Sequence, residues 1–141
     1  MTRSEIVAFF AKRFEAWNRL DAAALARDHT EDGVVESPFA GGTAVGREAI
    51  EKLYAAFFRA FSDLRTEQDD LLIDGNRVAL SVRATGTDRG GLFGLAPTGR
   101  SIRVSAVLIC ELRDGLIAHE RRVYDFTGLL VQVGAIKAKP A

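Results

Sequence analysis

The sequence predicts an α+β fold in which three amino-terminal helices pack on a curved, mainly antiparallel sheet and form a cone with an internal cavity. Two observations predict it. Residues 2–61 carry apolar side chains mostly at helical spacing, whereas the second half alternates polar and apolar residues around two Asp-Gly turns. A chain of 141 residues fits one domain. We therefore expect a single domain over residues 1–136 and a frayed tail at 137–141.

Each predicted helix follows a start signal or carries an apolar stripe. Thr2 and Glu5 have the spacing of a capping box. The first helix then has an apolar stripe at steps of three or four, formed by Ile6, Phe10, Phe14 and Trp17. Asp21 has the residue type of an N-cap for a short second helix over 22–28. A third helix begins near Arg47, and its stripe contains Ile50, Leu53, Tyr54, Phe57, Phe58 and Phe61.

One short strand is predicted between the second and third helices. It begins at Val34 and ends at Pro38, because proline has no N–H for the ladder. Gly41 and Gly42 then predict a flexible turn. His29 lies where the second helix ends, and its charge is expected to interact with that helix terminus.

Four strands in two hairpins follow the third helix. Their turns are Asp74-Gly75-Asn76 and Arg113-Asp114-Gly115, and a glycine-rich loop at 88–99 separates the hairpins. A short helix at 127–132 is the last predicted element. Within the loop, Leu92 and Phe93 are expected to form an apolar flap over the cavity mouth.

Composition excludes several classes of function. Nineteen basic and nineteen acidic residues give no net charge, which does not favour a nucleic-acid or anionic-membrane partner. The single cysteine, Cys110, lies in an apolar run, so neither an internal disulfide nor a cysteine–histidine metal site is expected. No segment has the roughly 20 apolar residues of a membrane span, and the amino terminus lacks a signal-peptide pattern. We expect a cytoplasmic protein.

The last hairpin carries the candidate catalytic side chains. Alternation places His119, Arg121 and Asp125 on one strand face, which is expected to line the cavity. A two-residue turn would place Cys110 on that face, whereas a three-residue loop with a glycine bulge would place Glu111 there. An apolar cavity would raise the pKa of Asp125 and suit it to proton transfer, and Arg121 could stabilise an enolate oxygen.

Structural roles are open for the same residues. Asp125 precedes a predicted helix and could be its cap, and Glu111 could form a salt bridge. His119 could be a satisfied or exposed strand histidine, and Arg121 could solvate an edge or an interface. The aromatic side chains on the helical stripes are core candidates first. Because ligand pockets are lined by core side chains, Phe14, Trp17, Tyr54 and Phe57 are also candidate ligand contacts. Phe93 of the flap is the fifth candidate.

Several strings resemble the SnoaL-like polyketide (ester) cyclase family of the nuclear-transport-factor-2-like superfamily. They cover nearly the whole chain and are residues 30–35 (TEDGVV), 46–50 (GREAI), 94–100 (GLAPTGR), 114–117 (DGLI) and 125–134 (DFTGLLVQVG). The resemblance implies a cofactor-independent enzyme that closes a ring by intramolecular aldol condensation. Asp125 matches the aspartate that moves the proton. The family's histidine on the preceding strand falls near Glu111, where this sequence departs from the pattern.

Two related groups fit less well. Ketosteroid isomerases resemble this chain, but Ser37 stands where their aspartate base would be, in the string Val35-Glu36-Ser37-Pro38. The Asp–Arg–Asp set of limonene-epoxide-hydrolase-like members could use Arg121 and Asp125, but a second aspartate is not evident.

Two functional hypotheses result. One is a cyclase or isomerase acting on a bulky apolar carbonyl compound such as a polyketide. The other is a non-catalytic module of the same fold that binds a hydrophobic ligand or mediates dimerisation. The resemblance also implies a homodimer.

Overall fold

The chain is described over residues 1–139 of a computed structural model, in which four α-helices, a short 3-10 helix (Pro38–Ala40) and six strands follow one another. The helices are α1 (Arg3–Asn18), α2 (Ala22–Arg27), α3 (Arg47–Ala60) and α4 (Phe126–Gln132). The strands are β1 (His29–Ser37), β2 (Gly42–Val45), β3 (Arg65–Asp74), β4 (Arg77–Thr87), β5 (Ser101–Arg113) and β6 (Leu116–Tyr124). The last two residues of the predicted tail, 140 and 141, lie outside the described part.

The predicted helix starts are confirmed by their caps. The Thr2 hydroxyl accepts from the Glu5 backbone N–H at 3.2 Å, and Glu5 Oε2 accepts from the Thr2 backbone N–H at 2.6 Å. The Asp21 carboxylate accepts from Ala24 N at 2.9 Å and caps α2. Both helices therefore begin where local hydrogen bonding satisfies their first N–H groups.

All six strands form one curved sheet in the order β2-β1-β6-β5-β4-β3. Only the β1–β6 pair is parallel among the described strand pairs, which confirms the predicted α+β class with a mainly antiparallel sheet. Two expectations for the first strand region were wrong. β1 begins at His29 rather than at Val34. The second glycine of the predicted flexible turn is already part of β2, which pairs with β1 from Ser37↔Gly42 to Val34↔Val45.

The last hairpin combines features of both predicted turns. Arg113 pairs with Leu116 across a two-residue turn, in which Asp114 (φ 54°) and Gly115 (φ 76°) both have left-handed backbone conformations. One residue later the register shifts, because Leu112 pairs with Ile117 but Glu111 pairs with His119. Ala118 is thus the extra residue of a β-bulge in β6.

The core lies between the helices and the inner face of the sheet. One cluster joins α2, α3 and α4 to the sheet and includes Leu25, Ile50, Tyr54, Phe61 and Leu129, none more than 1% exposed. A second cluster packs Ile6 and Phe10 of α1 on β4, β5 and β6. In the described residues, no helix combines the length and apolarity needed to span a bilayer.

Candidate functional site

The inner face of the sheet and helices α1 and α3 enclose a cavity of about 70 Å³. Its wall is mostly apolar, with contributions from α1, α3, β4 and β5 that include Phe14, Trp17, Phe57, Val82 and Val104. The polar side chains in this wall are Ser37, Thr66, Arg122 and Tyr124. A ligand here would therefore meet an apolar surface with a few polar contacts.

The predicted ligand residues take three different positions. Phe14, Trp17 and Phe57 lie in the cavity wall. Tyr54 is fully buried behind that wall and packs edge-on against Trp17 with ring centroids 5.3 Å apart. Phe93 is 58% exposed and stacks on the wall residue Phe39 at 5.2 Å. Phe93 therefore covers the wall from outside, where a flap was expected. The expectation for Leu92 was wrong, because this side chain is 1% exposed and belongs to the core.

The four predicted catalytic side chains lie on the outer face of the sheet or at its end. Glu111 pairs with His119 across the β5–β6 ladder, and both are exposed. His119 Nε2 lies 2.6 Å from Glu36 Oε2, and Arg121 faces solvent. Asp125 Oδ1 accepts from Gly128 N at 2.8 Å and caps α4. The expected cavity position of these residues was wrong, and their catalytic role stays a prediction.

The bulge at Ala118 explains this correction. Ile117 is buried in the core, so simple alternation from it would bring His119 and Arg121 inward as well. The extra residue shifts the alternation by one, and the inward positions become those of Glu120, Arg122 and Tyr124.

A buried polar cluster lies directly behind the cavity. Glu120 is 1% exposed, and its Oε2 accepts from Arg122 Nε at 2.8 Å. Arg13 of α1, 3% exposed, lies 3.8 Å from Glu120 Oε1 and pairs with Asp28 at 3.1 Å. Arg13 Nη2 donates to the Tyr54 hydroxyl at 2.9 Å. This network joins α1, α3 and β6, which carry part of the cavity wall.

Burial and the two arginines determine the protonation states of Glu120 and His29 in this cluster. Burial alone would raise the pKa of Glu120, but the positive charges of Arg122 and Arg13 lower it to about 2. Burial lowers the pKa of His29 to about 3, against the attraction of Glu120. Glu120 is thus ionised and His29 neutral near pH 7. The expectation of a charged His29 at the end of α2 was wrong, because this side chain is fully buried.

Arg122 connects the cluster to the cavity. Its guanidinium carbon lies 4.7 Å from the Tyr54 ring centroid and 5.6 Å from that of Trp17, both cation–π distances. Tyr124, two residues further on the same face, has its hydroxyl beside Ser37 and the Phe39 backbone. Burial raises the pKa of Tyr124, so its hydroxyl remains a hydrogen-bond donor at neutral pH.

Sequence reasoning missed this cluster. Residues 119–122 are all polar or charged, so the pattern gives no signal for which face is buried. Arg13 did carry a signal, since it lies three residues after Phe10 and four before Trp17, within the apolar stripe of α1. A buried arginine requires an acidic partner, and that requirement points to a buried carboxylate elsewhere.

Comparison with known proteins supplies the family context. The family model described as SnoaL-like polyketide cyclase matches residues 10–133. The structure of AclR from Streptomyces galilaeus, described as a candidate hydroxylase, superposes with a TM-score of 0.84 at 27% identity. That alignment covers 99% of this chain and 87% of AclR.

Two further solved structures are similar. IdmH from Streptomyces antibioticus, described as a candidate polyketide cyclase, has a TM-score of 0.76 at 27% identity, over 91% of this chain and 97% of IdmH. A SnoaL-like polyketide cyclase candidate from Jannaschia sp. CCS1 shares the fold, with a TM-score of 0.80 at 20% identity over 94% of each chain. No curated protein sequence matches the chain.

Proposed function

Because the chain belongs to the SnoaL-like polyketide cyclase family, we propose that it is a cyclase- or isomerase-type enzyme acting on an apolar carbonyl compound bound in the cavity. One observation carries the proposal: an apolar cavity whose described wall contains the guanidinium-bearing side chain of Arg122 together with the hydroxyl-bearing side chains of Ser37 and Tyr124. The description of IdmH as a candidate polyketide cyclase supports a polyketide substrate. AclR, which is equally similar in sequence, is described as a candidate hydroxylase. The type of reaction is therefore argued from the cavity wall rather than from sequence similarity.

In this proposal the substrate carbonyl oxygen points toward Arg122 and Tyr124. Removal of a proton from the neighbouring carbon moves negative charge onto that oxygen as an enolate. A fixed guanidinium and a phenol donor stabilise such charge more strongly in an apolar site than in water. The enolate carbon then either attacks a second carbonyl of the same molecule, which closes a ring, or takes a proton at another position.

The proton acceptor has to come from outside the described cavity wall. No carboxylate or imidazole is among the cavity-wall residues of the described part of the chain. The resemblance implies Asp125, which follows Tyr124 directly in sequence but whose carboxylate caps α4. Catalysis by Asp125 therefore requires the start of α4 to shift when substrate binds.

The size of the cavity also bears on the substrate. A cavity of roughly 150 Å³ holds benzene, whereas this one encloses about 70 Å³. A bulky compound therefore enters only if part of the wall opens. The stacked rings of Phe39 and Phe93 are the candidates, because Phe93 is exposed and lies in the loop rather than in a helix or strand.

The alternative is a non-catalytic module that binds a small hydrophobic molecule. The lack of a base in the described cavity wall favours it.

One experiment separates the two functions. Trp17 is the single tryptophan and lies in the cavity wall, so its fluorescence reports binding. We would screen aromatic ketones and polyketide intermediates for binding, and then follow product formation by chromatography. Turnover by the wild type that D125N loses while it still binds supports the enzyme with Asp125 as base. Equal turnover in both removes Asp125 from the mechanism, and binding with no turnover across the panel overturns the enzyme in favour of the binding module.

A further inference from the structure

We propose that the cavity binds its ligand as an anion, with an ionised enol or phenol oxygen on the Arg122 guanidinium at Nη1. The inference rests on the proposed use of the cavity as a ligand site, but it does not depend on turnover. It names the chemical class of the ligand: an apolar molecule with one weakly acidic hydroxyl.

The first argument is the incomplete hydrogen bonding of Arg122. The residue is 9% exposed and lies in the cavity wall. Its guanidinium donates from Nε to Glu120 Oε2. Nη2 is buried and has no hydrogen-bond partner in the described part. Nη2 lies 2.8 Å from Glu120 Oε2, but in a geometry that does not make a hydrogen bond. Nη2 is thus paired with Glu120 by charge and is closed to a ligand, whereas Nη1 makes no hydrogen bond or ion pair with the described residues. An anionic oxygen is the strongest acceptor for such a guanidinium N–H.

The second argument is the charge balance around Arg122. The titratable groups that interact with its charge are Glu120 and Tyr124 on its own strand, Cys110 from β5, Arg13 from α1, Tyr54 from α3 and His29 from β1. His29 is neutral because burial lowers its pKa to about 3, and burial raises the pKa of Tyr54, which is therefore neutral as well. Two buried guanidinium groups thus face one buried carboxylate. Asp28, the other acidic partner of Arg13, is 24% exposed and lies on the far side of that arginine from Glu120 in the hydrogen-bond network.

The third argument is the rest of the cavity. Its described wall contributes no acidic side chain, so nothing there repels an anion. The remaining wall is apolar and would hold the hydrocarbon part of the ligand. Attraction between Arg122 and a ligand anion is strengthened by this low-dielectric surrounding. The site therefore favours the ionised over the neutral form of a weak acid.

The test uses two probes of equal shape. 4-Nitrophenol ionises with a visible colour change, and 4-nitrotoluene replaces its hydroxyl by a methyl group. With wild-type protein, we expect bound 4-nitrophenol to ionise at least one pH unit lower than free 4-nitrophenol, which corresponds to about tenfold tighter binding of the anion. 4-Nitrotoluene is expected to bind more weakly than the phenolate, as measured by Trp17 fluorescence.

Two variants assign the effect to Arg122. E120Q removes the carboxylate that offsets the guanidinium, so the ionisation of bound 4-nitrophenol is expected to move to still lower pH. The double variant R122M/E120Q removes both charges together, which buried pairs tolerate better than loss of one partner. It is expected to bind both probes alike and to show no shift, with folding checked by circular dichroism. If the double variant does not fold, the wild-type titration and E120Q still decide the matter.

The outcomes are separable from those of the proposed function. If wild type binds 4-nitrophenol with unchanged or raised ionisation pH, the anion site is wrong while ligand binding in the cavity stands. A shift that persists in folded R122M/E120Q also overturns the assignment. If neither probe binds, the cavity is not a site for such molecules, and the inference is overturned together with the ligand site it requires.

Discussion

The Tyr54 hydroxyl lies 3.2 Å from His29 Nε2 and determines which nitrogen of that buried imidazole carries the proton. The same oxygen accepts from Arg13 Nη2 at 2.9 Å, so its own proton is free to be donated to His29. Nε2 is then an acceptor, and the imidazole proton resides on Nδ1, which has no hydrogen-bond partner in the described part. A neutral imidazole is therefore built into the packing between α3 and β1.

Acid is expected to destabilise the fold through His29. Its pKa is lowered from 6.5 to about 3 by burial, so below pH 6.5 the unfolded chain binds a proton that the folded chain does not. The stability from His29 is thus complete above pH 6.5 and is lost as the pH falls toward 3. The loss is on the order of 3 kcal/mol by pH 4. Chemical denaturation at several pH values measures it.

The matched variants for this prediction are H29Q and H119Q. H29Q keeps an acceptor for Tyr54 but cannot titrate, so the pH dependence between 6.5 and 4.5 is expected to flatten. H119Q changes a half-exposed imidazole on the outer face and is expected to retain the wild-type slope. Below pH 4.5, Glu120, whose pKa is lowered to about 2, adds a loss of the same sign. A steep slope in H29Q would contradict the assignment.

Filling the cavity is expected to abolish ligand binding. Ala106 lies in the cavity wall, whereas its neighbour Ser105 faces outward on the same strand. A106L places a larger apolar side chain in the space of about 70 Å³ and is expected to weaken binding by more than about tenfold. Its free energy of unfolding changes by less than about 3 kcal/mol, within the range for overpacked cores. S105L is expected to bind as the wild type does, and equal losses in both variants would refute the site.

Asp125 is expected to contribute to stability as a helix cap. D125A removes the acceptor for Gly128 N and is expected to lower the free energy of unfolding by about 1 kcal/mol. D125N retains a capping oxygen, so its stability should remain close to that of wild type. Thermal unfolding distinguishes the two. Comparable destabilisation by both variants would show that the charge, rather than the hydrogen bond, matters for α4.

The ring of Phe93 is expected to control the speed of ligand exchange. It stacks on Phe39 at 5.2 Å and packs against Phe126 at 5.9 Å. F93A removes both contacts and is expected to raise association and dissociation rates several-fold, with a smaller change in Kd. Stopped-flow measurement of Trp17 fluorescence follows both rates. L95A, which shortens another exposed side chain of the same loop, serves as the control. If L95A accelerates exchange equally, general loosening of the loop explains the result.

The homodimer implied by the resemblance stays a prediction. The outer face of the sheet presents Val107 and Val123 directly opposite each other, 40% and 53% exposed. V123K puts a charge on this apolar pair and is expected to convert a dimer into a monomer in analytical ultracentrifugation. V45K alters the more exposed Val45 on β2, at 63%, and is expected to leave the dimer intact. Wild-type protein that sediments as a monomer would contradict the prediction.

Most of the fold could be predicted from local signals in the sequence. The capping box of Thr2 and Glu5, the apolar stripe of α3 and the Asp114-Gly115 turn each specify structure through neighbouring residues. The strand β2 escaped prediction because Gly41 and Gly42 favour a turn, and its pairing with β1 is a tertiary contact. Short strands depend on their partners more than on their own residues.

The site was predicted less well than the fold, for a physical reason. The Asp114-Gly115 turn fixes the register only for its own neighbours, whereas the bulge at Ala118 depends on packing around Ile117. Burial of Glu120 and Arg122 then depends on Arg13, more than a hundred residues away in the chain. Reasoning from sequence places charged residues at the surface and therefore misses Glu120 and Arg122. Their burial is tolerated only because the two charges neutralise each other.

The extra residue in β6 has a consequence for how this cavity can change over time. If β6 ran without this bulge and Ala118 took a ladder position opposite Glu111, Glu120, Arg122 and Tyr124 would turn outward and His119, Arg121 and Val123 inward. Deletion of Ala118, in contrast, would keep every other pair of the β5–β6 ladder, so Glu120, Arg122 and Tyr124 would still face inward. A relative that lacks one residue at this point can therefore keep the same cavity wall, and its residues correspond to those of this chain by strand pairing rather than by their distance in sequence from Ile117.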